Sequence, residues 1–223
     1  LAFIPFSVVI GAGKGFPLSQ GVYPLVGWLL GPMAGAVANG IGALIGVILA
    51  PHTSTMPAAT ILSAVVGGLA AGVMRQTTAR RRWWMALASI LVILYGLYAG
   101  RAIIQNGAQW WAVVWGSVIN WSALLLFLLP TRAVFARWIA APDLKRVTLG
   151  LFFGTWTVAG LVHLVAATII YFVSNWPNEV WLAMAPMAPI EHIIRALMGA
   201  VIGVGVIAGL RAIGIVKPRE SAY

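Results

Sequence analysis

The polar side chains that are suited to chemistry are few in this chain, and one group of them opens its last apolar segment. Glu191, His192 and Arg195 follow each other closely there. Glu191 and Arg195 are four residues apart, so a helix places them on one face, where they can form an ion pair. Only four Asp and Glu residues occur in the whole chain. A carboxylate at a membrane boundary costs free energy, which makes it a candidate for a functional role. We therefore predict that Glu191 and His192 bind a substrate.

Three polar side chains lie inside apolar segments. His163 stands in the middle of LVHLV, and an ionisable residue in such a place is a functional candidate by default. The alternative is a neutral histidine that is hydrogen-bonded to a neighbouring helix. Asn39 and Asn120 are predicted to bond across helices in the same way.

The remaining candidates lie in three polar turns between the apolar segments, at 13–17, 51–57 and 174–189. The predicted substrate-binding residues in these turns are Lys14, His52, Thr53, Thr55, Trp176, Asn178, Glu179 and Trp181. Apolar walls with a few polar anchors are typical of a small-molecule pocket. Lys14 and His52 suit a carboxylate or a phosphate, whereas Trp176 and Trp181 suit a flat ring.

The chain lacks the residue sets of the common enzymes. GAGKG at 11–15 does not have the spacing of a phosphate-binding loop. There is no cysteine, and Asp143 is the only aspartate, so no thiol nucleophile and no Ser-His-Asp arrangement is predicted. We expect no enzymatic activity, no metal and no cofactor. An intramembrane enzyme that uses Glu191 and His163 is the least favoured interpretation.

Composition indicates a membrane protein. Apolar residues make up 61% of the 223 residues and charged residues 8%, against about 25% charged in a soluble domain; the mean hydropathy is +0.97. Eleven of the fourteen Lys and Arg residues lie in 75–82, 131–146 and 211–219. These three segments lie on the same side of the membrane if successive spans cross it in alternating directions. The positive-inside rule makes that side cytoplasmic. The net charge of +10 then faces anionic lipid headgroups rather than nucleic acid.

The apolar segments predict an all-α, polytopic transmembrane bundle in one domain, 1–223. Leu1 opens an apolar run, 1–12, too short to span the membrane, which we interpret as the end of a helix that began earlier. The further predicted helices are 18–31, 33–50, 58–74, 83–100, 109–129, 147–173 and 190–213. This gives about eight helices, or seven if 22–50 is one helix kinked at Pro32. A basic connector at 131–146 and the loop 174–189 complete the chain.

Small residues recur every four positions in 31–76. The pairs are Gly31 and Gly35, Ala34 and Ala38, Gly42 and Gly46, and Gly68 and Gly72. Each pair lies on one helical face, and small faces let helix backbones approach closely in lipid. We predict that 33–50 and 58–74 form a tightly packed central hairpin.

The runs GPMAGAVANGIGALIGVILAP, PAATILSAVVGGLAAGVMRQ and IEHIIRALMGAVIGVGVIAGLRAIG resemble the substrate-binding S components of energy-coupling-factor (ECF) vitamin transporters. The resemblance covers about two-thirds of the chain. It implies a six-helix core, here 1–76 and 147–214, and a vitamin-sized ligand near the outer surface under the loop 13–17. It also implies a transmembrane scaffold subunit and cytoplasmic ATPase subunits as partners.

The chain departs from that family in two ways. Residues 83–130 look like an inserted transmembrane hairpin. In 1–12, Ala2 and Ala12 are too far apart to form the alanine-spaced face that meets the scaffold in the family, so the partner is either a dedicated scaffold or another assembly.

Two functions of different classes follow. The first is a non-enzymatic subunit of an ECF-type ABC importer, in the plasma membrane of a prokaryote with a cytoplasmic C-terminus, that captures a vitamin-like small molecule. The second is a structural subunit of a larger membrane complex.

Overall fold

The computed structural model describes residues 5–8, 15–54, 56–75, 77–214 and 216–223. Nearly all of this described chain is α-helical. Its helices are α1 (Tyr23–Leu30), α2 (Pro32–Leu49), α3 (Pro57–Val73), α4 (Thr78–Gly100), α5 (Trp110–Gly116), α6 (Val118–Leu128), α7 (Thr131–Ile139), α8 (Leu144–Ser174) and α9 (Asn178–Ala212). Short 3₁₀ turns occupy Leu18–Gly21 and Pro51–Thr53, and a π-helical turn, Arg101–Gln105, follows α4.

Several of these helices are long and apolar enough to cross a membrane. Four helical segments pass this test within the described residues, and a fifth is obtained if α5 and α6 are counted as one bent span. The prediction of an all-α, multi-pass membrane protein is therefore confirmed at this level.

The predicted break at Gly31–Pro32 is confirmed. Gly31 has φ +87°, in the left-handed region, and Pro32 is the first residue of α2. Glycine adopts this φ without strain, and proline is well suited to the first helical position because its missing N–H has no helical partner there. α1 is therefore a separate helix of eight residues.

The interpretation of 1–12 as the end of a helix is wrong for its described part. Pro5–Val8 is a strand, β1, which pairs antiparallel with β2, Gly15–Pro17. Proline removes a helical hydrogen bond, and the first residue of a strand is a position where it is tolerated. Pro5–Val8 is therefore one strand of an antiparallel pair, which we call the β1–β2 hairpin.

The predicted loop 174–189 is wrong beyond its first few residues. α9 begins at Asn178 and continues for 35 residues, with Pro186 and Pro189 inside it. Proline ends most helices in water, but neighbouring helices allow it inside membrane helices.

The predicted helix 109–129 is two helices rather than one. α5 and α6 are bent by 67° at Ser117, whose backbone is not helical. The Ser117 hydroxyl donates to the Val113 carbonyl at 2.6 Å and lies 3.1 Å from the Tyr95 hydroxyl, so the polar groups at the break have partners. The predicted connector 131–146 contains the short helix α7.

α8 lies at the centre of the bundle, in contact with α1, α3, α4, α6, α7 and α9. Beside it, α2 and α3 pack as the predicted hairpin. A Cβ placed on Gly68 would overlap the Gly35 carbonyl, and one on Gly35 would lie 2.7 Å from Gly27 Cα. Gly42, by contrast, has no atom of a described residue within 4 Å of such a Cβ, so only part of the small-residue pattern is at the interface.

The three basic segments meet at one end of the bundle, as predicted. The Arg80 and Arg75 guanidinium groups donate to the carbonyl oxygens of Glu220 at 2.6 Å and Ser221 at 2.7 Å. Arg211 donates to the carbonyl of Ile139, the last residue of α7, at 3.1 Å. We call this end of the molecule the basic end.

Candidate functional site

A cluster of polar side chains lies within the apolar helices α6, α8 and α9. Its members are Asn120, His163, Glu191, His192 and Arg195, and we call it the intramembrane polar cluster. His163 and Asn120 join α8 to α6, with His163 Nδ1 2.7 Å from Asn120 Oδ1. The His163 and His192 rings lie edge to face with centroids 5.2 Å apart. The cluster thus links three helices in the bundle interior.

The α9 members form a chain along one helical face. His192 Nδ1 lies 2.9 Å from the Ala188 carbonyl oxygen, which can only accept, so Nδ1 carries the proton. His192 Nε2 then accepts from Arg195, whose NH1 lies 3.4 Å away. Arg195 NH2 is 3.7 Å from Glu191 Oε2. The predicted i, i+4 ion pair is therefore confirmed.

Arg195 is completely buried, whereas 18% of the Glu191 side chain is exposed. A guanidinium group among apolar helices is expensive unless a counter-charge and hydrogen-bond acceptors lie close to it. Glu191 and His192 supply both. With the guanidinium and carboxylate charged and the histidines neutral, the cluster has no net charge.

The turn Leu18–Gly21, which directly follows the β1–β2 hairpin, lies against α8 and α9 beside this cluster. A Cβ on Gly21 would come within 3.2 Å of the Arg195 carbonyl oxygen, and one on Gly199 within 2.9 Å of the Gly21 carbonyl oxygen. Glycine at both positions therefore permits the close approach. β2 in turn contacts the turn Pro51–Thr53, so the hairpin and two turns gather at this part of the bundle.

The predicted residues of the 51–57 turn largely satisfy each other. Thr53 is buried and donates to the Ala50 carbonyl at 2.9 Å, and the Ser54 and Thr60 hydroxyls are 2.8 Å apart. His52 is exposed. A cavity of about 240 Å³ lies beside the turn, between α1, α2 and the start of α3. Its polar lining residues are Ser19, Tyr23, Asn39, Thr53, Ser54 and Thr60.

The two tryptophans predicted to hold a ring lie in a cluster of four aromatic side chains. Trp176 and Trp181 pack with Tyr98 of α4 and Tyr171 of α8, with ring centroids 5.1 to 6.3 Å apart. Trp181 is completely buried, and its indole N–H has no partner among the described residues. Tyr98 comes from a distant part of the chain, whereas Tyr171 is only five residues before Trp176; the sequence analysis included neither tyrosine.

The other predicted residues lie apart from the polar cluster. Asn178 accepts from the Gln109 backbone N–H at 2.9 Å, and Glu179 is exposed in the first turn of α9. Trp181 precedes His192 by eleven residues, about 16 Å along a helix. Lys14 and Thr55 lie outside the described residues. The structure therefore brings Glu191 and His192 together, and Trp176 and Trp181 together, in two separate places.

Asn120, His163 and Arg195 complete the cluster around Glu191 and His192. The signal for them was present in the sequence, because each is a polar residue within an apolar segment. The predicted cross-helix bonds of both asparagines are confirmed, since Asn39 donates to the Tyr23 carbonyl at 2.9 Å. For His163, the geometry agrees with a histidine bonded to a neighbouring helix.

No group of three or more metal-ligating side chains occurs in the part of the chain that the structure describes. Comparison of the chain with protein-family models, with curated proteins and with solved structures gives no match. The intramembrane polar cluster and the resemblance of the sequence runs are therefore the indications of function.

Proposed function

We propose that this protein is the membrane-embedded substrate-binding subunit of an ECF-type ABC importer, and that its ligand binds at the intramembrane polar cluster. The observation that carries the proposal is Arg195, a fully buried guanidinium between Glu191 and His192. Ionisable groups held within a membrane mark ligand or ion sites more often than structural ones. The adjoining turn Leu18–Gly21 connects the cluster to the hairpin that covers the ligand in this proposal.

The chemistry of the cluster restricts the ligand. Arg195 offers a planar donor for a carboxylate or phosphate, and His163 offers its second ring nitrogen, Nε2, since Nδ1 is bonded to Asn120. A small vitamin-like molecule with one anionic group and a polar ring meets these requirements. Uptake would be driven by ATPase subunits through a transmembrane scaffold, since the sequence has no nucleotide-binding motif of its own.

The division of the bundle into a six-helix core and an inserted pair of spans is part of the same proposal. The six-helix core corresponds to 1–76 and 147–214, and 83–130 is an inserted hairpin. In support, α4 and α6 are joined by the Trp84 indole, which donates to the Phe127 carbonyl at 3.1 Å, and both helices contact α8 of the core.

Ligand binding is tested by titrating the purified protein in nanodiscs with water-soluble vitamins and their precursors while tryptophan fluorescence is followed. We expect saturable binding of one compound, and an affinity at least about tenfold lower in Arg195→Lys, because a charged hydrogen bond is worth about 1.5–3 kcal/mol. Arg211→Lys is the matched control. It carries the same substitution on the same helix, at a residue that donates to the Ile139 carbonyl, and should bind as the wild type does.

Equal affinity of the wild type and Arg195→Lys would place the ligand elsewhere. A Lys14→Ala/Trp176→Ala double variant then tests the outer turns that the sequence predicted. Absence of saturable binding by every compound contradicts the importer proposal.

The proposed orientation places the basic end in the cytoplasm of a prokaryotic cell. The chain has no cysteine, so single cysteines can be introduced at exposed residues near the two opposite ends of α8. We expect a membrane-impermeant maleimide to label Glu179→Cys in intact cells, and Arg146→Cys only after permeabilisation, because cations are retained on the inner side. The reverse pattern of labelling contradicts this orientation.

A structural subunit of a larger complex is the second candidate function. The observation that favours it is an open, apolar groove of about 490 Å³ on the surface of α6–α9. Its lining residues are Leu126, Phe135, Trp138, Phe152, Phe153, Trp156 and Ile193. Purification from native membranes separates the two candidates: ATPase subunits in the eluate support the importer, whereas a stable energy-transducing complex supports the structural subunit.

A further inference from the structure

The basic end of the molecule contains a cavity that the proposed function does not use. Its volume is about 700 Å³, and it lies between α7 and the segment 217–223. Its charged lining residues are Arg75, Arg137, Lys217 and Arg219. No Asp or Glu side chain lines it among the described residues. A concave surface lined by four cationic side chains and no acidic side chain has a positive potential.

The carboxylate closest in sequence, Glu220, is directed away from the cavity. A Cβ on Gly31 would lie 2.9 Å from Glu220 Oε2, so this side chain is turned toward the junction of α1 and α2. The backbone of the segment is held there too, because the Ala222 N–H donates to the Trp28 carbonyl at 2.6 Å. The cavity wall is therefore anchored with its only acidic side chain on the far side.

Two of the four cations have structural partners, and two do not. Arg75 donates to the Ser221 carbonyl at 2.7 Å and Lys217 to the main-chain oxygen of Tyr223 at 2.9 Å. Arg137 and Arg219 are exposed and form no hydrogen bond or ion pair with any residue that the structure describes. Both guanidinium groups are therefore available to an anion.

We propose that this cavity binds a phosphate-bearing anion, with Arg137 and Arg219 as its principal ligands. Guanidinium groups match phosphate oxygens with paired, charge-assisted hydrogen bonds. The phosphate can come from the headgroup of an anionic phospholipid or from a soluble phosphate compound. Large apolar side chains stand exposed directly before the cations, with Ile213 70% and Val216 90% accessible. This pattern of exposed apolar residues followed by cations matches the boundary between acyl chains and headgroups.

The site is separate from the intramembrane polar cluster. His192 and Arg211 lie on the same helix, nineteen residues apart, which corresponds to about 28 Å. Loss of anion binding at the basic end and loss of ligand binding at the cluster are therefore independent outcomes.

The test uses the purified full chain in a neutral detergent and native mass spectrometry. The probes are phosphatidylglycerol, phosphatidylcholine as the zwitterionic reference, and inorganic pyrophosphate as the soluble phosphate. The pocket variant is Arg137→Gln/Arg219→Gln. The matched control is Arg82→Gln/Arg146→Gln, which removes the same charge at two exposed residues that do not line the cavity.

We expect phosphatidylglycerol to be retained in preference to phosphatidylcholine, and the pocket variant to bind it on the order of 30-fold more weakly, about fivefold for each cation. The control should bind as the wild type does. The single variant Arg137→Gln should bind phosphatidylglycerol about fivefold more weakly. It replaces the double variant in the test if the double variant does not fold.

The two sources of phosphate give different results. Retention of phosphatidylglycerol that depends on the pocket identifies a lipid headgroup, and the same dependence for pyrophosphate alone identifies a soluble phosphate compound. The proposal is overturned if the wild type, the pocket variant and the control bind phosphatidylglycerol equally well and also bind pyrophosphate equally well.

Discussion

A Gly68→Ala variant is expected to be less stable than the wild type by at least about 2 kcal/mol, because one added carbon overpacks the helix interface. The new Cβ would overlap the Gly35 carbonyl and lie 2.7 Å from the Ala36 nitrogen. These are backbone atoms of α2, so the contact can be relieved only by moving the two helices apart. The gain in helix propensity, about 0.5–1 kcal/mol, is too small to offset this.

Thermal unfolding followed by circular dichroism in detergent measures the effect. Gly42→Ala is the matched control, because it makes the same change on α2 at a position where no described residue has an atom within 4 Å of the new Cβ. It should leave the unfolding temperature unchanged or raise it slightly. Similar unfolding temperatures for the two variants would show that the small-residue contact between α2 and α3 does not limit stability.

An Arg195→Leu variant should lose about 3–5 kcal/mol of unfolding free energy. The substitution removes the cation 3.7 Å from Glu191 and the donor 3.4 Å from His192, and so leaves an acidic side chain in apolar surroundings. The Arg195→Leu/Glu191→Leu double variant should recover part of this loss, because replacing both members of a buried pair is often neutral.

Denaturant titration of the single variants and the double variant provides the double-mutant cycle. Arg211→Leu is the control for removing an arginine from the same helix, where the side chain is only partly buried, and it should cost less than Arg195→Leu. If the loss in the double variant equals the sum of the losses in Arg195→Leu and Glu191→Leu, the ion pair contributes nothing, and Arg195 is held by its other contacts.

The spacing of small residues predicted the α2–α3 hairpin but not which small residues form it. Gly35, Gly68 and Gly72 lie at close helix contacts, whereas Gly42 makes no such contact with the part of the chain that the structure describes. A four-residue spacing identifies a face of one helix, and the same spacing recurs on other faces. Which face meets a neighbour depends on how all the helices pack around α8.

Prolines were the weakest guide to the helix boundaries. Pro32 marks a true helix start, as the sequence predicted, but Pro186 and Pro189 lie inside α9. Pro32 follows Gly31, whose positive φ ends α1, whereas Pro186 and Pro189 each follow an alanine. Within a membrane, neighbouring helices also stabilise a helix that contains proline. A local sequence window does not include those neighbours.

Only part of the candidate site could be predicted, because some of its residues meet only through the packing of the helices. Glu191 and Arg195 are close in the chain, and helical periodicity alone pairs them. His163 and Asn120 are separated from them and from each other by long stretches of sequence, so only the packing of α6, α8 and α9 brings them to His192. Conversely, Trp181 was assigned to the ligand on residue type, and the fold places it in an aromatic cluster of its own.

Composition and short-range periodicity were enough to predict the membrane class of this protein, its apolar helices, the collection of its cations on one side and the ion pair within α9. The pairing of β1 with β2, the passage of α9 through two prolines and the set of polar groups in the bundle interior became known from the fold alone. These features depend on contacts between residues far apart in the chain, and the free energy of such contacts is not expressed in any local pattern.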